Sequence, residues 1–291
     1  MRHDHNGRST STATVDSSGV ELPKLKPAEF EQIRSLAKER FGLDLRPGKE
    51  DLVTARLARG MRSGRFRSFR EYLEHIRADS TGESLTALIN ALTTNHTSFY
   101  REPQHFEFLT RQVLPSLAWE SDIRIWSAAC STGEEPYSIL CSAAQLWNGD
   151  IRRLRVFATD ISTRVLDIAK AGVYPEASLA NVPPAWRSCF QSTPARDGNV
   201  RFKAELARSI EFRRLNLVEP FPFAGKFRVI FCRNVMIYFD KPTQERLVQK
   251  LTTHLEPGGY LFVGHSESLA GVQHSLDYLR PAVYRNGSGP R

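Results

Sequence analysis

Apolar residues along this chain keep two different spacings. From residue 25 to about 100 they recur with a helical period. Phe30, Ile33, Leu36, Ala37 and Phe41 form one stripe, and Leu85, Leu88, Ile89 and Leu92 another. Ser68 with Glu71 is a possible capping box ahead of Phe69, Tyr72, Leu73 and Ile76. No alternating pattern intrudes, so this half is expected to be a small all-α domain. From about residue 120 the spacing changes to short apolar runs at 123–127, 154–159, 210–213, 229–232 and 260–263, with helical candidates between most of them. Strands alternating with helices predict an α/β fold, a doubly wound and mostly parallel sheet. Segment 175–208 breaks the rhythm with Pro175, Pro183, Pro184, Pro194 and the turn pair Asp197-Gly198. It reads as a small β-subdomain inserted into the larger domain. Residues 1–24 are polar and read as a disordered tail. The expected division is therefore tail 1–24, helical domain 25–105 and α/β domain 106–291.

Composition adds limits. The 291 residues are 41% apolar, enough for a real core, and no run approaches the roughly 18 apolar residues of a membrane span. The start has no apolar signal-peptide segment. Cys130, Cys141, Cys189 and Cys232 are widely spaced, which suits buried reduced thiols in a cytoplasmic protein. Lys and Arg number 40 against 32 Asp and Glu, a formal +8, which permits an acidic partner without choosing among nucleic acid, membrane and protein.

The densest chemical signal is the turn Ser127–Ser138 between the first strand and the following helix. In an open α/β sheet that corner cradles a ligand. Here it carries Glu134 and Glu135, one glycine and no lysine. Two carboxylates repel phosphate and attract a cation, so a phosphate loop is disfavoured. S-adenosylmethionine, a sulfonium and ammonium with no phosphate, suits the turn. Asp160 ends the second strand, where an acid can accept from ribose hydroxyls or cap the next helix.

Three further groups stand near strand ends or at the change of pattern. Thr94–Glu102 is dense in hydrogen-bonding groups where the two halves meet, which favours a ligand site over a polar linker with helix caps at Thr97 or Ser98. The strand through Cys232 runs into Arg233-Asn234, at the crevice side of the sheet, with Tyr238 soon after. Tyr238 also fits a packing role, and Asn216 fits a turn. The basic run 49–70 aligns Arg56, Arg59 and Arg62 on one helical face, as a docking surface or a solvated one. Its few aromatics weaken a base-stacking role. The histidines show no metal-ligand spacing, so no metal site is expected.

Taken in order, the blocks Thr93–Glu102, Ser127–Ser138, 157–162, 231–240 and Gly258–Ser268 resemble the chemotaxis receptor methyltransferases, the CheR family. The resemblance covers about residues 25 to 286. It implies a helical N-terminal domain, an S-adenosylmethionine-dependent methyltransferase domain with an inserted β-subdomain, and methylation of glutamate side chains on cytoplasmic chemoreceptor helices. S-adenosylhomocysteine is the implied product, with no metal. It further implies that Asn95, Thr97, Arg101, Glu134, Asp160, Asn216, Leu217, Arg233 and Asn234 line the cofactor pocket, and that Arg101 and Tyr238 face the transferred methyl. Receptor methylation helices are acidic, which would give Arg56, Arg59 and Arg62 a partner. In some members the β-subdomain grips a receptor C-terminal peptide, a candidate partner here. Nucleic acid and direct membrane insertion are not expected. The competing readings are a methyltransferase acting on nucleic acid or a small molecule, and a cofactor sensor without turnover.

Overall fold

The computed structural model describes residues 23–93, 95–195 and 197–287, in two compact units. All but the last two residues of the expected tail lie outside the described residues.

Among the described residues the first unit comprises 23–38 and 45–93. Its helices are α1 (Pro27–Phe41), whose last turn belongs to the second unit, α2 (Glu50–Ser63), α3 (Phe69–Ala78) and α4 (Glu83–Leu92). Val53, Leu57, Ala58 and Met61 make the buried face of α2, which packs on Leu88, Ile89 and Leu92 of α4. Full burial of Leu57 makes truncation to alanine cost about 2–5 kcal/mol. The capping box forms in modified shape. Ser68 Oγ accepts from Glu71 N at 3.1 Å, while the Glu71 carboxylate accepts from Arg67 N at 2.7 Å, one residue upstream of the usual donor. Buried Glu29 ties the start of α1 to that of α3, accepting from Lys26 N at 2.8 Å and Arg70 N at 3.1 Å.

The second unit holds two sheets. In chain order its strands are β1 (Ile123–Ala128), β2 (Leu154–Asp160), β3 (Val173–Pro175), β4 (Phe190–Ser192), β5 (Asn199–Phe202), β6 (Ile210–Arg214), β7 (Phe227–Cys232), β8 (Leu255–Val263), β9 (Leu276–Arg280) and β10 (Val283–Asn286). The large sheet runs β6-β2-β1-β7-β8-β10-β9. Its first five members are parallel, and β10 enters antiparallel to β8 and β9. Central strands of a parallel sheet are covered on both faces. Accordingly Ile125, Trp126, Val229, Ile230 and Phe231 are all fully buried.

Helices α5 (Pro103–Phe108), which passes through a π-turn at Leu109–Val113 into α6 (Leu114–Ser116), α7 (Glu134–Leu146), α8 (Thr163–Ala171), α9 (Ala204–Ala207) and α10 (Lys241–Thr253) complete the unit. The order reverses between β1 and β7, so the crevice opens at the carboxyl ends of β1, β2 and β7. The interrupted segment forms the small antiparallel sheet β3-β5-β4, with Asp197-Gly198 in the β4–β5 turn. Gly198 takes φ +76°, and Asp197 Oδ1 accepts from Thr193 Oγ1 at 2.6 Å. The hairpin β9–β10 has no counterpart in the apolar pattern, because β9 buries only Leu276. All four cysteines are buried and unbridged. Among the described residues no helix is long and apolar enough to cross a membrane.

Candidate functional site

The turn after β1 is built from unusual backbone. Ala129 and Ser131 take φ +64° and +50°, and Gly133 takes +98°. A Cβ on Gly133 would lie 2.8 Å from Ala169 Cβ and 2.9 Å from the Tyr174 hydroxyl, so both conformation and space require glycine. The turn delivers Glu134 as the first residue of α7, where the positive end of the helix favours a carboxylate. Thr132 Oγ1 donates to Glu134 Oε2 at 2.6 Å. Burial still holds the Glu134 carboxyl above its ordinary range, against the Thr132 bond and nearby His96.

One strand over, Asp160 lies at the tip of β2 and is buried. Its Oδ2 accepts from Ser131 N at 2.9 Å and its Oδ1 from Ser162 N at 2.9 Å. The same carboxylate therefore stitches the β1 turn to the β2 turn. The helix cap itself is Ser162, whose hydroxyl accepts from Val165 N at 3.4 Å. Each Asp160 oxygen keeps a second lone pair for a ligand hydroxyl. Burial pushes its carboxyl upward, opposed by the backbone donors of Ser162 and Ser131.

Segment 95–101 crosses the mouth of this corner. Buried Phe99 anchors it, edge-on to Tyr174 at 4.9 Å and to Phe190 at 5.3 Å. Ser131 Oγ donates to Asn95 O at 2.9 Å. Asn95 Nδ2 is buried without a hydrogen-bond partner. A buried orphan donor is costly unless a ligand acceptor meets it. Half-buried Arg101 folds onto its own segment, donating from Nη1 to His96 O at 2.8 Å.

At the end of β7 the Arg233 guanidinium is almost wholly buried and committed to protein. Nη1 meets Glu135 Oε2 at 2.9 Å, Nη2 meets Glu102 Oε2 at 3.0 Å, and Nη2 donates to Arg101 O at 2.6 Å. Burial alone would raise Glu102, but the Arg233 charge and bond outweigh it and hold that carboxyl low. For Glu135 burial wins and the shift is upward, opposed by Arg233 and by Ser127 Oγ, which donates at 2.7 Å.

Asn234 follows at φ +56°. Its backbone N–H and those of Val235, Met236 and Ile237 all point at buried Glu267, at 2.7, 2.9, 2.7 and 3.3 Å. Gly264 N adds a fifth donor at 2.6 Å. This nest holds the short 3₁₀ turn Met236–Tyr238, where the tyrosine stands before α10 and not on it. Asp240 is the cap of α10, accepting from Thr243 N at 3.0 Å.

The model of the family described as CheR methyltransferase, SAM binding domain, matches residues 95–284, and the model of its all-alpha domain matches residues 28–93. The chain belongs to the CheR methyltransferase family.

Among curated relatives, a chemotaxis protein methyltransferase of Borreliella burgdorferi is 37% identical over 88% of this chain and 93% of its own. Chemotaxis protein methyltransferase 2 of Pseudomonas aeruginosa is 40% identical, covering 88% and 92%. The Escherichia coli chemotaxis protein methyltransferase is 38% identical, covering 89% and 91%. The chain is thus an S-adenosylmethionine-dependent methyltransferase, and its cofactor is S-adenosylmethionine.

Within the CheR frame, the residues singled out from sequence fall into distinct settings. Asn95, Thr97, Arg101, Glu134, Asp160, Arg233 and Asn234 lie on segments at the carboxyl ends of β1, β2 and β7. Asn216 lies just past β6 but spends its amide on structure, donating from Nδ2 to Arg40 O at 2.8 Å and Glu219 Oε1 at 3.0 Å. Leu217 is buried, and its carbonyl accepts from Lys250 Nζ at 2.6 Å. Burial brings Lys250 down to about 8, with Arg246 adding to the shift. In the helical unit Arg59 and Arg62 are exposed, while half-buried Arg56 donates to the Leu92 carbonyl at the end of α4. Sequence reasoning missed Glu102, Glu135 and Glu267 as organisers of the Arg233–Tyr238 stretch. Acids beside the polar blocks were the available signal, but their partners lie up to 163 residues away.

Proposed function

We propose that this protein transfers a methyl group from S-adenosylmethionine to glutamate side chains of chemoreceptors, in the cytoplasm, as part of chemotactic adaptation. The observation that carries the reading is the pair of acids Glu134, at the start of α7, and Asp160, at the tip of β2, on turns stitched together by the Asp160–Ser131 bond, with the Ser131 hydroxyl donating to the carbonyl of Asn95, whose amide nitrogen is buried and unpartnered. The chemotaxis protein methyltransferases it resembles supply the chemotaxis context.

Bound S-adenosylmethionine supplies an electrophilic methyl on a sulfonium. Glu134 is suited to hold its amino group and Asp160 its ribose hydroxyls. The Asn95 amide offers a donor to an acceptor atom, and Thr97, Leu217 and Asn234 complete the lining. Arg233 shapes the wall through Glu102 and Glu135. Asn216 acts through the loop it braces. An acceptor glutamate, with ordinary pKa ~4.3, is already ionised at neutral pH and needs no base. The protein therefore has to align and desolvate. Arg101 is placed on a half-buried loop, where releasing His96 O frees it to hold the acceptor carboxylate by charge-assisted hydrogen bonds. Tyr238, fixed by the Glu267 nest, orients the same group. Exposed Arg59 and Arg62, with Arg56, form the docking face for acidic receptor helices. The small sheet β3-β5-β4 is the candidate contact for a receptor C-terminal peptide.

The test is mass spectrometry of chemoreceptor cytoplasmic fragments after incubation with the protein and cofactor. Methyl esters on glutamate are expected. Absence of esters, or methyl on another residue type, overturns the reading.

A further inference from the structure

We propose that Glu102, His105 and His265 form a binding site for a divalent transition-metal ion of the zinc class. One ligand atom from each lies within 4.8 Å of the others. Both His105 ring nitrogens are buried and lack hydrogen-bond partners, and the residue is 1% exposed. Its Nδ1 stands 3.3 Å from Glu102 Oε2, in a geometry that makes no hydrogen bond. The His105 and His265 rings meet edge to face at 4.7 Å. A buried imidazole with two idle nitrogens is expensive, and a metal bond is one way to satisfy it.

Two imidazoles and a carboxylate suit a zinc-class ion, with water as fourth ligand. Tetrahedral bonds of ~2.0–2.1 Å put ligand atoms about 3.4 Å apart. The widest gap here must close by about 1.4 Å, which the exposed His265 side chain can do. Charge permits it as well. Glu102 and Glu135 both pair with Arg233, and Glu267 sits on the neighbouring Asn234 N–H, with Arg280 a weaker positive influence on His105.

No step of methyl transfer uses this ion. Its effect would be inhibitory, because Glu102 also accepts from Arg233 and, at Oε1, from Asn234 Nδ2 at 3.3 Å. An ion on Glu102 competes with both bonds and loosens the pocket wall. That coupling rests on the proposed place of Arg233 and Asn234 in the cofactor pocket; the metal site does not.

The full chain is dialysed against zinc chloride and compared with His265→Ala and His105→Asn. The wild type should take up one more zinc than either variant, with affinity about tenfold or more above theirs. Zinc sites elsewhere are common to all three proteins and cancel. Equal uptake by wild type and His265→Ala overturns the site, as does undiminished uptake by a folded His105→Asn. Calorimetry with S-adenosylhomocysteine reads the coupling separately. Zinc should weaken binding in the wild type and leave His265→Ala unaffected, and an unchanged wild-type affinity at bound zinc overturns the inhibition alone.

Discussion

Arg233 and Glu135 form an ion pair at 2.9 Å with side chains only 2% and 12% exposed, joining the end of β7 to the first turn of α7. Removing one partner strands the other charge in a low-dielectric interior. Glu135→Ala should therefore cost about 3–5 kcal/mol in urea unfolding. A cost below about 1 kcal/mol would show that Glu102 alone compensates Arg233.

Asp160 serves structure and ligand together. Asp160→Ala orphans the N–H groups of Ser131 and Ser162 and removes the ribose acceptor. Cofactor affinity by calorimetry should fall about tenfold to a hundredfold, the worth of one or two charge-assisted bonds. Arg101→Ala should instead lower turnover by about tenfold or more with little change in cofactor affinity, since Arg101 is assigned to the acceptor. Reversal of the two patterns would exchange the assignments.

Glu134 predicts a pH dependence. Burial raises its carboxyl in the folded protein, so the ionised form opposes folding above that raised value and the opposition is relieved as pH falls through it. Cofactor binding has the opposite demand, because a cationic amine needs the carboxylate. Affinity should drop as pH falls through the raised value, with proton release on binding in that window. Glu134→Gln should bind more weakly at neutral pH and lose this acid limb. Dissociation constants measured across mildly acid to neutral pH decide it.

Glu267 fixes the backbone from Asn234 to Ile237 without being placed against the cofactor. Glu267→Gln keeps the shape, exchanges an acceptor oxygen for a donor and discards the charge. It should destabilise by about 2–4 kcal/mol, depress kcat through the loosened turn that carries Tyr238, and raise cofactor KM through the loosened Asn234. A variant with wild-type kcat would detach the nest from turnover.

The arginine face divides by structure. Arg59→Glu with Arg62→Glu should reduce receptor methylation about tenfold, with added salt mimicking the loss in the wild type, and leave thermal stability near normal. Arg56→Glu should add a stability loss of about 1 kcal/mol or more, because the Arg56 guanidinium satisfies the last carbonyl of α4. Methylation rates and melting curves read the two effects separately.

Local pattern was sufficient for much of this protein. Helical spacing around Leu57 and Leu88, short apolar runs such as the one through Ile125, and the turn chemistry of Asp197-Gly198 depend on near neighbours, so they can be read residue by residue. The placement of Asp160 at the tip of β2 and of Glu134 at the start of α7 follows from the same logic. It was also local order, block after block, that carried the resemblance to the CheR family. Tertiary structure decided what long-range partners decide. Only folding brings Glu267 under the N–H groups of Asn234–Ile237, seats Arg233 between Glu102 and Glu135, turns Asn216 toward Arg40, and sets His265 beside His105. Spacing along a chain encodes periodicity, whereas burial and charge pairing arise between groups that may be 163 residues apart, as Glu102 and His265 are.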